Sequence, residues 1–372
     1  MGNSPMEGIA VVENNHVSRT YVERNFEWYV WLKDSLLPQM RQWTFSLLGL
    51  AVLIGAGMLP VGSATAQQQK VIVVVGAAGQ AAYAEQFEAW ASEWKSAVQK
   101  SGGDQVELTQ IGLGVPVESR SDFDLLKESI KSTPKTIGEL WVVLIGHGTD
   151  DRKKSKFNLR GPDVSASQLN EWLAPLPCRT VIINCSSASG SFIGKLKHPD
   201  RIVVTATKSA AQLNFARFGG YFSKAIADPA FDLDKDQQTS LLEAFLAASS
   251  QTQEFYVEDT RLATELAMVD DNGDGQGTPA DWFKGVRVVK QAKKGAPDGF
   301  HANSVFLVRG QEESKLSTEQ RKKRNELEVK LEQLRVKKNT MTEEAYYLAI
   351  EPVLLKLSRV YAEIDVKQSN SD

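Results

Sequence analysis

The run LWVVLIGHGT at residues 140–149, read with TVIINCSSASG at 180–190, decides the fold of this chain. Each is an unbroken series of apolar, often β-branched residues that ends on a small polar group carrying one reactive side chain, His147 in the first and Cys185 in the second. Such runs, without polar alternation, suit strands covered on both faces, as in a parallel sheet between helices. If the two strands run parallel, both side chains emerge at one carboxyl edge, where open α/β sheets bind ligands.

Working outward, KVIVVVG at 70–76 is a third strand of the same buried kind. Phe87, Trp90, Trp94 and Val98 then recur at spacings of three and four, which predicts an amphipathic helix over 83–99. A strand is expected at 105–111, a helix over 121–132 capped by Ser121 or Asp122, and a solvated loop at 150–156. A helix over 164–173, a strand at 201–207 and helices over 218–226 and 241–248 complete the alternation. The predicted class is α/β: a mostly parallel sheet sandwiched by helices, filling a domain at 70–310, with a C-terminal α-helical hairpin at 312–368. In that hairpin Leu327, Leu331 and Leu334 form one apolar seam, and Val353, Leu354, Leu357, Val360, Tyr361 and Ile364 form the other. Thr340 with Glu343 reads as a capping box that restarts the second helix. The hairpin is expected to pair with a second copy or a partner protein, or to lie on the domain before it.

The chain has 372 residues, 42% of them hydrophobic, and Lys+Arg 43 against Asp+Glu 46. That balance lacks the basic field of a nucleic-acid-binding protein, so nucleic acid is excluded as a partner. Residues 40–66 carry Arg41, an apolar core over 45–59 and Ala64-Thr65-Ala66, the three regions of a secretory signal peptide. Residues 1–39 then form an upstream extension; the alternative is a signal anchor. The expected localisation is exported. Cys178 and Cys185 flank one strand, so at ~3.3 Å per residue they stand ~20 Å apart and cannot form a disulfide.

A thiolate attacks carbonyl carbon, and an imidazole beside it can deliver a proton to the leaving amine. Backbone N–H groups at Gly148 and Cys185 are placed to receive the developing oxyanion, and a residue without Cβ at 148 lets a substrate approach the backbone. Taken singly, His147 also fits a structural histidine and Cys185 a small buried hydrophobe; their joint placement after two buried strands favours a Cys-His dyad. His198 and His301 lie in polar loops and compete poorly as the base. No cofactor is required for that chemistry. In DDNGDGQGTPAD at 270–281, Asp270, Asn272, Asp274, Gln276 and Asp281 follow the ligand spacing of a calcium loop, with Asp in the twelfth place where Glu is usual. That spacing suits a structural calcium ion; the alternative is a plain Asp/Asn/Gly turn before a helix capped at Thr278 with Pro279 at N1.

The IGHGT and NCSSASGSF segments, with KVIVVVGAAG before them and MVDDNGDG after, resemble the caspase-hemoglobinase group of cysteine peptidases, most of all its bacterial legumain-type members. The resemblance spans about 70–310. It implies an endopeptidase acting on polypeptides through an acyl-thioester, with transpeptidase ability, in which Cys185 is the nucleophile, His147 the general acid/base and Gly148 an oxyanion donor. Two features depart from the legumain pattern. Residues 77–85 contain no Arg or Lys to receive an acidic or Asn side chain, and Ser186, Ser187 and Ser189 crowd the loop after the cysteine. Arg217 is the candidate to bind such a side chain; the alternative is that it pairs with a surface carboxylate. Two further readings compete: a catalytically inactive binding or scaffold module working through its C-terminal helices, and a tetrapyrrole chelatase, whose GHG motif this chain shares without a second matching histidine.

Overall fold

The computed structural model describes residues 69–102, 106–115, 119–151, 154–290 and 297–369, with side chains to 362 except that of 312. The upstream extension and signal peptide lie outside the described residues. No helix among those described is long and apolar enough to cross a membrane.

The chain opens with β1 (Gln69–Val75), α1 (Ala81–Lys100), β2 (Val106–Ile111), α2 (Asp122–Lys131) and β3 (Glu139–Ile145). A small antiparallel sheet follows, β4 (Gly148–Asp150), β5 (Ser155–Phe157) and β6 (Val164–Ser165), then α3 (Ala166–Leu173), β7 (Arg179–Asn184), α4 (Ser191–Leu196) and β8 (Arg201–Thr205). The second half supplies α5 (Phe218–Ala225), α6 (Leu241–Glu258), β9 (Met268–Asp270) and β10 (Thr278–Pro279).

The main sheet has the order β10-β9-β8-β7-β3-β1-β2. Its strands from β2 to β8 are parallel, and β9 and β10 close one side antiparallel. Every residue of β1 and β3 is buried, as the unbroken apolar runs require. Alternate side chains divide between two layers. Val71, Val73, Trp141, Val143, Val181 and Ile183 pack against α1, α5 and α6; Ile72, Val74, Val142, Leu144 and Ile182 pack against α2, α3 and α4. The predicted sandwich is therefore the observed one.

Local signals hold where polar groups have nearby partners. Ser121 caps α2 by accepting from Asp124 N–H, and Ser165 forms a capping box with Gln168 on α3. Two details differ. The stretch expected as a loop at 150–156 contributes to β4 and β5, because Gly148 to Asp150 pair with Ser155 to Phe157 and turn Phe157 into the core. After α8 (Thr318–Lys337) the cap of α9 (Glu343–Ser369) is Thr342, which accepts from Ala345 N–H, while Thr340 donates back to Lys337 O. A short 3-10 turn, 338–340, occupies the space in which Thr340 was expected to cap. The two seams do meet: Leu331, Tyr346, Ile350, Val353 and Leu357 form a separate small core.

One buried carboxyl makes this body pH-sensitive. Asp298 accepts from Asp271 N–H and from the Thr278 hydroxyl. Burial first, and then the charge of Asp271, push its pKa up to about 8. A raised acid stabilises the fold while protonated, and that contribution is lost as pH rises through the folded value. Melting temperature should thus fall between about pH 4, the ordinary carboxylate value, and about pH 8, the folded one, and Asp298→Asn should flatten the decline. An equal decline in the variant would place the titrating group elsewhere.

Candidate active site

Strands β3 and β7 are direct parallel neighbours, with Leu144 level with Asn184. The carboxyl ends of both therefore open on one edge, where 146–148 faces 185–190.

The turn after β3 is built from residues that leave room for the backbone. A Cβ on Gly146 would stand 3.2 Å from Gly76 Cα, and one on Gly148 would stand 2.1 Å from Ser187 O and 2.8 Å from Ser186 Oγ. Between them His147 is half-buried, its Nε2 3.2 Å from Ala78 O in the loop after β1. A carbonyl only accepts, so that contact makes Nε2 the protonated nitrogen and leaves Nδ1 as the basic one. The ring stands edge-on to Tyr83, Phe87 and Phe215, with centroids 4.9, 5.3 and 6.0 Å away.

Cys185 continues β7, donating its N–H to Leu144 O at 2.9 Å. Its side chain extends the row of Val181 and Ile183 into the layer of α1 and α5, where it is 1% exposed. Gly219 of α5 allows this: a Cβ there would lie 2.5 Å from Cys185 Cβ and 3.0 Å from Sγ. Burial, and after it the carboxylate of Glu265, raise the thiol pKa above its ordinary value. A thiol readied for attack has the opposite shift. The sequence expectation that Cys185 stands out at the edge thus meets a thiol packed as a core residue. It and His147 lie on the same face of the sheet, both adjoining the aromatic group of Phe87, Trp90 and Phe215.

The serines that depart from the legumain pattern hold the loop in place. Asn184 Oδ1 accepts from Ser186 N–H and hydroxyl at 3.1 and 2.6 Å. Gly148 N–H donates to Ser187 Oγ at 3.2 Å, and Ser187 Oγ donates to Gly148 O at 3.0 Å. Ser189 hydrogen-bonds Thr207, whose Oγ1 also takes Gly190 N–H. Ala188, between them, has φ of 55°, left-handed backbone that a residue with Cβ adopts only when its surroundings enforce it. Ser187 escaped the sequence reading. Extending the β3–β7 register by three residues from Leu144 and Asn184 brings 187 level with His147, a relation that needs the strand pairing and so is not visible in the sequence.

Arg217 begins α5 with its guanidinium 4.2 Å from the Phe255 ring centre and 5.5 Å from that of Phe215, while its backbone N–H donates to Glu265. It stands one aromatic ring from His147.

The proposed calcium ligands lie in a run of tight turns held by their own oxygens. Asp270 takes the N–H groups of Gly273 and Gly275, Asn272 and Asp274 cap the next turns, and exposed Asp281 pairs with Lys290 at 3.4 Å. Gln276 N–H donates to Asp274, and the Gln276 side chain is exposed. Among the described residues the carboxylates that converge are Asp232, Asp234 and Asp236, with oxygens within 4.8 Å of one another. Counted from Asp232 they occupy places one, three and five, followed by Ser240 at nine and Glu243 at twelve, the spacing sought at 270–281. Gln237 holds φ of 72° in the sixth place, usually a glycine, and that missing glycine hid the pattern.

No family model and no curated protein sequence matches the chain. Among solved structures it is similar to the Drosophila initiator caspase Dronc, at 15% identity over 62% of this chain and 94% of that one, with a TM-score of 0.37. It is also similar to caspase-1 from Spodoptera frugiperda, at 10% identity over 60% and 94% with a TM-score of 0.35. A secreted C11 cysteine protease from Bacteroides thetaiotaomicron matches at 12% identity over 54% and 65%, with a TM-score of 0.33.

Proposed function

We propose that the chain is an exported hydrolase of peptide bonds that works through an acyl-enzyme formed at the carboxyl edge between β3 and β7. The observation that supports this is the pairing of those strands, which sets the His147-Gly148 turn against the loop leaving β7. His147 carries the proton: its basic nitrogen accepts it from the nucleophile and returns it to the leaving amine. Gly148 N–H stabilises the oxyanion. The nucleophile belongs to the 185–187 loop, and sequence resemblance assigns it to Cys185. Opening of the acyl group by an amine in place of water is the transpeptidase side of the same chemistry. Polypeptide is the substrate, and Arg217 beside Phe215 is the group proposed to receive an acidic side chain.

A peptide-library digest read by mass spectrometry tests the proposal. His147→Gln should lower cleavage by about 10²–10⁴-fold, the usual contribution of a general acid/base. Equal cleavage by the variant would remove His147, and with it the proposal.

A second reading, a catalytically silent module, is favoured by the burial of the Cys185 thiol and the engagement of Gly148 N–H by Ser187. Its working surface would be α9, where Tyr347, Leu348, Leu355 and Tyr361 are exposed. A folded wild type that cleaves nothing yet self-associates or captures a partner through α9 would establish it.

Calcium enters only as a structural ion. At millimolar calcium the melting temperature should exceed that in chelator, with the gain lost in Asp274→Asn. A gain kept by Asp274→Asn and lost in Asp236→Asn would move the ion to 232–243; no gain in the wild type would remove it.

A further inference from the structure

We propose that the atom that attacks the peptide carbonyl is Ser187 Oγ, not Cys185 Sγ. This rests on the reading of the edge as a hydrolytic site and changes the identity of one atom in it. The two side chains that could attack are both buried, 1% exposed at Cys185 and 3% at Ser187, but they are held by different partners. Cys185 is an extension of β7, level with Ile145 in the continued register, and its sulfur lies within the sheet layer in the space that Gly219 leaves by having no side chain. Ser187 comes after the strand has ended, level with His147, and its hydroxyl lies against the Gly148 backbone. The group that receives an oxyanion and the group that attacks must both lie about 3 Å from the reacting carbon. Ser187 Oγ and Gly148 N–H are direct neighbours, hydrogen-bonded at 3.2 Å, so a substrate carbonyl seated there takes that N–H from the hydroxyl and lies beside the attacking oxygen.

The loop is also built to hold this residue. Asn184 fixes Ser186 on one side, Thr207 fixes Ser189 and Gly190 on the other, and Ala188 is kept at φ of 55° immediately after Ser187. A Cβ on Gly190 would stand 2.2 Å from the Lys208 carbonyl carbon, so the turn closes tightly there as well. Ser187 is itself buried, 3% exposed, so a substrate reaches its hydroxyl by taking the place of the Gly148 contact at the sheet edge.

The step balances without any co-reactant beyond water. As Ser187 Oγ bonds to the carbonyl carbon, its proton passes to the basic nitrogen of His147, and the oxyanion takes the Gly148 N–H. The C–N bond then breaks as the imidazolium protonates the amine. Water, deprotonated by His147, attacks the ester; its carbon–Oγ bond breaks, and Oγ regains the proton.

The test uses the full chain, a fluorophosphonate that phosphonylates activated serine hydroxyls, and iodoacetamide. Phosphonate should abolish peptide cleavage, with the adduct on Ser187, and iodoacetamide should leave cleavage unchanged. Ser187→Ala should lower kcat by 10³-fold or more. Ser187→Cys, which preserves size and turn, should retain measurable cleavage that iodoacetamide now abolishes. Inhibition of the wild type by iodoacetamide, with the adduct on Cys185 and no phosphonate adduct, would overturn the assignment and leave the hydrolase reading standing. No cleavage by folded wild type would overturn both.

Discussion

Replacing Gly148 with alanine should cost the fold about 3 kcal/mol or more, at the upper end of what overpacking costs, and should abolish any turnover. The added Cβ would lie 2.1 Å from a backbone oxygen, that of Ser187, and 2.8 Å from Ser186 Oγ. Neither can swing away. The carbonyl belongs to a loop tied to Asn184 and Thr207, and Ser186 is held by its bond to Asn184. Relief must come from parting the two loops, which breaks both bonds between Ser187 and Gly148. A urea titration reads the first effect and peptide cleavage the second. A variant of wild-type stability would mean that the two loops are not in contact in solution.

The second large effect is expected far from that edge, at the base of the C-terminal hairpin. Arg324 of α8 makes two bonds to Glu313 of α7 (Gln311–Lys315), at 2.6 and 2.8 Å, and both side chains are buried. Removing one member of such a pair leaves a charge without water or partner, at a cost of about 3–5 kcal/mol, whereas replacing both by apolar groups is often neutral. Arg324→Met should therefore be strongly destabilised, and Arg324→Met combined with Glu313→Leu should recover most of the loss. Arg324 also reaches Glu328 at 3.6 Å, so the recovery should be incomplete. Urea unfolding of the single and double variants measures it. A small effect in the single variant would show that the hairpin opens at this point in solution and lets water reach Glu313.

How far the sequence carries depends on the range of the force involved. Apolar runs at 71–75, 140–145 and 181–183 announce buried strands because burial on two faces demands an unbroken series, and those strands are where they were expected. The hairpin seams were legible for the same reason. What could not be read by pattern alone was register. Cys185 follows its strand as directly as His147 nearly follows β3, and only the pairing of Leu144 with Asn184 shows that the thiol is still within the sheet layer while Ser187 has left it. The hairpin of β4 and β5 was equally hidden, since its polar residues suit a solvated loop until Phe157 is seen to seal the core under Gly76 and Gly146. The carboxylates of 232–243 were concealed by one residue, Gln237, standing where the calcium-loop pattern has glycine.

The most direct measurement of the proposed function is to trap the intermediate. Turnover of a cleaved peptide ester is quenched in acid, the protein is digested, and the acyl group is located by mass spectrometry. The account predicts an acyl adduct within 185–190, carried by the Ser187 hydroxyl and absent in His147→Gln. An adduct on Cys185 or outside that loop, or cleavage with none formed, would contradict it.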